Sequence, residues 1–331
     1  MTTEPSHAPP PAAPPSSPFS PPRADRAIGV FEVERLRGVL LAEPDVDLTP
    51  VAWAPAPLLL GEGWDNTIWD VGSLPDGTPL ALRVARREVA VELLEHEVLV
   101  LRHLAGRADA LPMRLPGLLA TADASVLVTW IFGHTALDGD DAEQTQCATA
   151  LASMLAALHG APPAGLDRNP VRGCSLADRD ERLRADLDDV LAPEPDLAAR
   201  ALGVWETGLA APVWTGPDVL LHGDPHPANV IVADDGSAPV LIDLGDTTPG
   251  DPASDLGALA LHRADALAPG SELLGIYRRE ASWPGIDEDA VFDALVLRAR
   301  AWTVRLAVTM LAAHGPDEGL GRAAARALRA L

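Results

Sequence analysis

Three polar side chains in the middle of the sequence have the types and the spacing needed to handle a nucleotide phosphate. Residues 221 to 256 read LHGDPHPANVIVADDGSAPVLIDLGDTTPGDPASDL, with Asp224, then Asn229 five positions later, and Asp243 directly before Leu244. Phosphoryl transfer needs a carboxylate that meets the acceptor hydroxyl and two oxygen ligands that hold Mg2+ across the phosphates. The stretch therefore indicates chemistry on a phosphoryl group.

The segment between these side chains predicts a hairpin that brings them together. Apolar runs at 229–232 and 239–242 flank the turn sequence Asp-Asp-Gly-Ser, so two short strands should place Asn229 and Asp243 at the same end. A dinuclear metal site is a rival interpretation, because His222, Asp224 and His226 alternate as metal ligands can. That site would require further His and Asp ligands from other loops, and the sequence does not supply them at suitable positions.

The same stretch resembles the aminoglycoside phosphotransferase family, whose core reads His-Gly-Asp-x-x-x-x-Asn, then Asp-x-Gly, then Gly-Asp-Pro-x-x-Asp-Leu. All three blocks are present. The resemblance implies that Asp224 is the catalytic residue, that Asn229 and Asp243 bind Mg2+, and that ATP or GTP is the phosphoryl donor. The residues expected to support the site are His222, His226, Asp246, Asp251 and Asp255.

The overall charge limits the choice of partners. The chain of 331 residues carries a net charge of −23, and all 25 basic residues are arginine. Nucleic acid is excluded as a partner because its phosphate backbone requires clustered cations. The absence of lysine excludes Schiff-base chemistry and assigns any phosphate contact to arginine. The acid excess either attracts a cationic acceptor or serves only solubility, and composition leaves both interpretations open.

The N-terminal residues predict a disordered leader. Residues 1–25 contain nine prolines among Ser, Ala and Thr, so they cannot bury enough apolar surface to fold. They lack the apolar region of a signal peptide, and no later segment has about 18 uninterrupted apolar residues to span a membrane. Cys147 and Cys174 show no metal-binding spacing, so we expect a reduced, cytoplasmic protein without a membrane partner.

The region after the leader predicts a small lobe rich in strands. A helix over 28–41 is followed by strands at 56–60, 67–71 and 80–85. The turn between the first two strands contains Gly61, Gly63 and Asn66. In kinase-like folds the backbone of such a turn covers the nucleotide phosphates, so the resemblance places these residues at the nucleotide.

One strand and one helix of this lobe each carry a charge on an apolar background. Arg83 lies between small residues on one face of the third strand, and Glu97 lies on the apolar stripe of the next helix. A buried carboxylate needs a partner, so we expect an ion pair that positions the α and β phosphates. The resemblance implies that Val128 and Ile131, in the apolar run 125–131, contact the purine.

The rest of the sequence predicts a helical second lobe. A helix capped by Asp141 should end at His159, which we interpret as a core or helix-end histidine. Ser271 and Asp287 are expected to begin helices, and 291–311 is apolar enough for a core helix. We therefore predict a bilobal α+β fold of the protein-kinase type, with a β-rich lobe at 26–132 and a mainly helical lobe at 133–331.

These features together predict a small-molecule kinase. Only about ten residues separate Gly245 from the helix expected near Ser254, which is too short for the activation segment and peptide platform of protein kinases. The acceptor should therefore be a hydroxyl of a small molecule, such as an aminoglycoside or another antibiotic. A kinase of a metabolite such as choline, homoserine or a sugar is an alternative of the same fold. A catalytically dead, kinase-like binding protein is a further alternative, disfavoured because Asp224, Asn229 and Asp243 are all present.

Overall fold

The computed structural model describes residues 26–44, 46–63 and 65–331. The predicted leader, residues 1–25, lies outside this range. The described chain forms a sheet-containing lobe followed by a helical lobe. The elements of the first lobe are α1 (Val30–Ala42), β1 (Ala52–Glu62), β2 (Asn66–Ser73), β3 (Pro79–Ala85), α2 (Glu88–Ala105), β4 (Leu118–Ala122) and β5 (Ser125–Thr129).

The five strands form one antiparallel sheet in the order β1-β2-β3-β5-β4. Helix α1 packs Val33, Leu36 and Leu40 against one face of this sheet. Helix α2 covers the other face with Ala90 and Leu94. Because residues on a strand alternate between faces, the sheet can bury side chains against both helices.

The limits of several elements differ from the sequence prediction. Strand β1 begins four residues earlier than predicted and contains two register shifts against β2, which allow a long strand to follow the twisted sheet. Strand β4 was not predicted. Strand β5 ends at Thr129 and does not continue to Ile131.

The second lobe surrounds a large helical core. Its elements are β6 (Gly133–Thr135), α3 (Asp141–Leu158), α4 (Asp180–Val190), α5 (Pro195–Ala210), β7 (Val219–Leu221), β8 (Val230–Ala233), β9 (Val240–Leu241), β10 (Thr248–Gly250), α6 (Ala253–His262), α7 (Glu272–Glu280), α8 (Asp289–His314) and α9 (Gly319–Ala330). Helix α8 packs against α5, α6 and α9. Two small sheets, β6-β8-β9 and β7-β10, fix the ends of the loop between β7 and β8 and of the loop between β9 and β10. The predicted α+β fold with a sheet lobe and a helical lobe is confirmed.

Two predicted helix caps are shifted by one residue. Helix α3 is capped by Asp140, whose carboxylate accepts hydrogen bonds from the backbone nitrogens of Ala142 and Glu143, and not by Asp141. Helix α8 begins after Glu288 and not after Asp287. At α3 two consecutive aspartates are equally suited to the cap, so side-chain type alone does not distinguish them. Glu288 precedes α8 without a side-chain cap hydrogen bond. Among the described residues no helix is long and apolar enough to cross a membrane.

Candidate active site

Asp224 lies in the loop that leaves β7. The preceding residue, Gly223, has a φ of 89°. A Cβ at this position would lie 2.2 Å from the backbone oxygen of Asp246, so only glycine fits here. The Asp224 side chain is 18% exposed. The loop therefore presents a partly buried carboxylate that a ligand can still reach.

Asn229 and Asp243 line one cavity of about 250 Å3 between the lobes. The Asn229 Nδ2 donates a hydrogen bond of 3.0 Å to the backbone oxygen of Asp224, which fixes the amide nitrogen and leaves the amide oxygen for another partner. Asp243 has a φ of 64°, an uncommon conformation for a residue with a side chain. The hairpin of β8 and β9 brings the two residues together.

This pair of oxygen ligands fits Mg2+. Mg2+ prefers oxygen ligands and is usually held by one or two carboxylates together with substrate phosphates. Asn229 offers an amide oxygen, and no hydrogen bond to the Asp243 carboxylate is found within the described residues. The described residues contain no cluster of three His, Cys, Asp or Glu side chains arranged for a metal. Water or substrate phosphates would supply the remaining ligands of an ion held by these two residues.

His222 connects the loop of Asp224 to the strand before Asp243. Its Nε2 donates to the backbone oxygen of Ile242 at 3.0 Å, and its Nδ1 accepts from the backbone nitrogen of Asp224 at 3.3 Å. These two contacts assign the neutral tautomer with the proton on Nε2. The buried imidazole thus ties together the two segments that carry the candidate catalytic and metal-binding residues.

Asp255, near the start of α6, anchors the same loop from behind. Its carboxylate accepts hydrogen bonds from the backbone nitrogens of His222 at 2.7 Å and Gly223 at 2.9 Å. Asp255 is completely buried. A buried carboxylate is costly unless its hydrogen bonds are satisfied, so the loop and the helix must hold each other in register.

A buried chain of hydrogen bonds extends this anchor into the core. His159, at the C-terminal end of α3, lies 3.3 Å through Nε2 from Asp255 and 2.7 Å through Nδ1 from the Tyr277 hydroxyl. The Trp283 indole donates to the same hydroxyl at 2.9 Å. Burial raises the pKa of the Tyr277 hydroxyl, which keeps it neutral. His159 is therefore a core residue at a helix end, as its position in the sequence indicates.

The other predicted supporting residues have different surroundings. Asp251 forms a buried two-contact ion pair with Arg298 of α8, at 2.7 and 3.2 Å, and is not among the residues that line the cavity of Asn229. Asp246 accepts from the Asn169 amide at 3.0 Å. His226 follows Asp224 in the loop, and its Nε2 lies 3.8 Å from the Asp224 carboxylate.

Arg172 is a site residue that the sequence did not predict. Its Nη2 lies 2.6 Å from Asp224 and 3.3 Å from Asp246. Burial opposes the charged form of Arg172, but the two carboxylates outweigh this effect and raise the pKa of the guanidinium. The contact joins positions 52 residues apart, in a loop without regular structure. No local pattern in the sequence could have indicated it.

Most of the predicted nucleotide residues line the cavity of Asn229 and Asp243. Gly63, Asn66, Arg83, Val128 and Ile131 are among its lining residues. The predicted contact Gly61, whose backbone pairs with β2, is not among them. The Asn66 Oδ1 is buried without a hydrogen-bond partner in the described part of the chain. It is therefore available to a ligand.

Arg83 and Glu97 form the expected buried ion pair between β3 and α2. Burial raises the pKa of the Glu97 carboxyl, and the charge of Arg83 opposes that rise. Helix α2 also packs closely on the segment after Asp243, where a Cβ on Gly245 would lie 3.1 Å from the Cβ of Leu93. The helix thus fixes both the strand cation and the candidate metal-binding loop.

Comparisons with known proteins show what this arrangement resembles. Residues 58–292 match the model of the phosphotransferase enzyme family, APH. None of the curated protein sequences compared with the chain matches it significantly. A macrolide 2'-phosphotransferase type I structure has a TM-score of 0.54 at 21% identity, covering 91% of this chain and 98% of its own.

Two further solved structures share the fold. The macrolide 2'-phosphotransferase MphH from Brachybacterium faecium has a TM-score of 0.52 at 24% identity, with coverage of 88% of this chain and 97% of its own. Choline kinase from Cryptosporidium parvum Iowa II has a TM-score of 0.52 at 14% identity, with coverage of 91% and 94%. These likenesses establish a kinase-like fold, and the family match covers most of the chain. The chain belongs to the phosphotransferase enzyme family, which confirms the family predicted from its motifs.

Proposed function

We propose that this phosphotransferase moves the γ-phosphoryl group of ATP or GTP to a hydroxyl of a small molecule, with Mg2+ as cofactor. The observation that carries the proposal is the position of Asp224 between two cavities. Asn229 and Asp243 line one cavity, whereas Asp224 lines a neighbouring one. The Asn229 amide contacts the backbone of Asp224, so the two cavities meet at this loop.

Each residue has a role that its surroundings support. The acceptor oxygen forms a bond to the γ-phosphorus, the bond from that phosphorus to the β–γ bridging oxygen breaks, and the nucleoside diphosphate leaves with the bridging oxygen. Asp224 accepts the proton of the acceptor hydroxyl. Asn229 and Asp243 would hold Mg2+, which neutralises phosphate charge when bound. Arg83, fixed by Glu97, contacts the remaining phosphates.

The nucleotide side of the proposal has support from the cavity and from the relatives. Ile68, Val128 and Ile231 contribute apolar surface that suits a flat purine ring. Solved relatives include a GDP complex of an aminoglycoside 2'-phosphotransferase-IIIa, with a TM-score of 0.55 and 18% identity. Proteins of this fold are named for macrolides, aminoglycosides and choline. The acceptor must therefore be argued from this chain's own residues.

Replacing Asp224 by Asn tests the proposed chemistry. The variant keeps the shape of the side chain but cannot accept the hydroxyl proton, so kcat should fall by about 100-fold or more while the KM for the nucleotide changes little. The measurement is Mg2+-dependent release of nucleoside diphosphate with a panel of hydroxylated acceptors. Asp234→Asn, the same change in the exposed turn between β8 and β9, is the matched control. Full turnover in the Asp224 variant would contradict the assignment.

A further inference from the structure

The cavity next to Asp224 has a composition unlike the rest of the chain. It measures about 340 Å3, within the range of about 300 to 1,000 Å3 that small-molecule sites occupy. Its polar lining includes Asp224, His226 and three arginines, Arg172, Arg179 and Arg305. Asp224 is the single carboxylate among the lining residues, in a chain whose net charge is −23. The lining is therefore cationic.

Two of these arginines have no carboxylate within ion-pair distance in the described part of the chain. Arg172 pairs with Asp224 and Asp246, so its charge is balanced. For the side chains of Arg179 and Arg305, the structure shows no hydrogen bond or ion pair to the residues it describes. Burial, and then the charge of Arg179, lower the pKa of the Arg305 guanidinium, and the charge of Asp186 only partly opposes this fall. Cations placed together without a partner attract an anion.

Several buried hydrogen-bonding atoms of this cavity have no partner among the described residues. Six buried side-chain polar atoms in the described part of the chain lack a hydrogen-bond partner, and four of them belong to residues that line this cavity. Those four atoms are Nε of Arg172, Nε of Arg179, Nε1 of Trp302 and Nδ1 of His226. Guanidinium and indole groups can only donate. Such unmet buried donors are costly, and a ligand rich in acceptor oxygens would satisfy them.

Two acidic residues of α4 that could favour a cationic ligand form contacts with other side chains. Asp180 accepts from the Trp205 indole and from Arg184, and Asp186 pairs with Arg182 on the same face of α4. Neither carboxylate lines the cavity of Asp224. The charge of Asp186 still acts on Arg305, but Asp224 is the one carboxylate among the described residues that line the cavity.

From these observations, and resting on the phosphotransfer proposed above, we infer that the acceptor is a small hydroxylated anion. Its carboxylate or phosphate group binds Arg179 and Arg305, while its hydroxyl meets Asp224. The guanidinium fork suits either kind of oxyanion, because both present two oxygens in one plane. A polycation such as an aminoglycoside would bring ammonium groups towards the two arginines and leave the donors of the cavity unmet.

The first test compares acceptors that differ mainly in charge. One series is glycerol, glycerate, glycerol phosphate and serinol, and a larger one is glucose, gluconate and glucosamine, with kanamycin as the polycation. Each is assayed with the full chain, Mg2+ and ATP or GTP, and each is tested alone for its effect on Tm. The anionic members should raise Tm and give a kcat/KM at least about tenfold above their neutral and cationic counterparts. Comparing glycerate with glycerol phosphate separates a carboxylate from a phosphate acceptor.

The second test removes the proposed anion contacts. Arg179→Gln and Arg305→Gln should each lower kcat/KM for the best anion by about tenfold or more, through the KM for the acceptor and not through the KM for the nucleotide. Arg305→Lys, which keeps the charge, should restore part of the loss. Arg35→Gln, an equal charge change on a side chain of α1 that is 48% exposed, is the control and should change neither KM.

The outcomes separate this inference from the proposed function. Asp224-dependent turnover that prefers neutral or cationic acceptors would overturn the anionic acceptor and leave the phosphotransfer intact. The inference also fails if no anion raises Tm at millimolar concentration, or if the Arg305 variants respond as the Arg35 variant does. A rise in Tm that needs Arg305, without Mg2+-dependent turnover of any acceptor, would support the anion site and contradict the phosphotransfer.

Discussion

His262 should make the stability of the protein sensitive to acid. This residue ends α6 and is buried, and its Nε2 donates to the backbone oxygen of Pro225 at 2.9 Å. Its Nδ1 has no hydrogen-bond partner among the described residues. Burial lowers the pKa of His262 from 6.5 to about 4. The folded protein therefore keeps the imidazole neutral in a pH range where the unfolded chain protonates it.

The size of the effect follows from that difference in pKa. Each pKa unit corresponds to about 1.4 kcal/mol, so a change from 6.5 to about 4 amounts to about 3 kcal/mol at most. The neutral imidazole contributes its full share to the free energy of unfolding above pH 6.5. This contribution falls as the pH drops below 6.5 and is lost near pH 4, where the folded state also binds the proton. By about pH 5 the loss should be about 2 kcal/mol.

Denaturant unfolding at a series of pH values measures this contribution. Wild type should lose about 2 kcal/mol more than His262→Gln between about pH 7 and about pH 5, because glutamine does not titrate. His103→Gln, which replaces an exposed histidine of α2, should follow the wild type. If the free energy of unfolding of wild type and His262→Gln falls in parallel with pH, the buried neutral state of His262 is wrong.

Three further substitutions test the site and its scaffold. Asp243→Ala should abolish the Mg2+ dependence of nucleotide binding, measured by titration calorimetry, and a response equal to wild type would exclude Asp243 as a ligand. Arg83→Ala should raise the KM for the nucleotide, and the double variant with Glu97→Ala should show an interaction energy of about 1 kcal/mol or more. Strictly additive effects would disprove the coupling. Gly223→Ala should lower the free energy of unfolding by about 3 kcal/mol, because a methyl group meets backbone at 2.2 Å. Gly236→Ala, at a φ of 71° in open space, should cost only about 1 kcal/mol, and equal losses would show that the clash is relieved.

The fold could be predicted wherever a pattern repeats along a short stretch. The period of two identified β3, and the apolar stripe of α2 correctly placed Glu97 on its buried face. Strand β4 was missed because Leu118 to Ala122 is a short run of apolar and small residues that also suits a loop or a helix. Its identity as a strand depends on pairing with β5, which is a tertiary contact.

The candidate catalytic and metal-binding residues could be predicted from local sequence, whereas the arginines of the cavity next to Asp224 could not. Asp224, Asn229 and Asp243 could be found because one short loop and one hairpin fix their spacing. The cationic cavity could not be found, because Arg172, Arg179 and Arg305 approach each other only when α8 packs beside the loop that precedes α4. The net charge of the sequence even suggested the opposite sign. Averages over a chain do not report the charge of a particular cavity.

The anchor at Asp255 restricts the motion of the loop that carries Asp224. The backbone N–H groups of His222 and Gly223 both donate to this buried carboxylate, which also contacts His159 of the core. Their amide protons can exchange with solvent only when α6 separates from the loop, so they should be protected as strongly as core amides. The loop should therefore open no more readily than the core around Asp255. Because it is ordered before a ligand arrives, ligand binding does not have to pay for its conformational entropy.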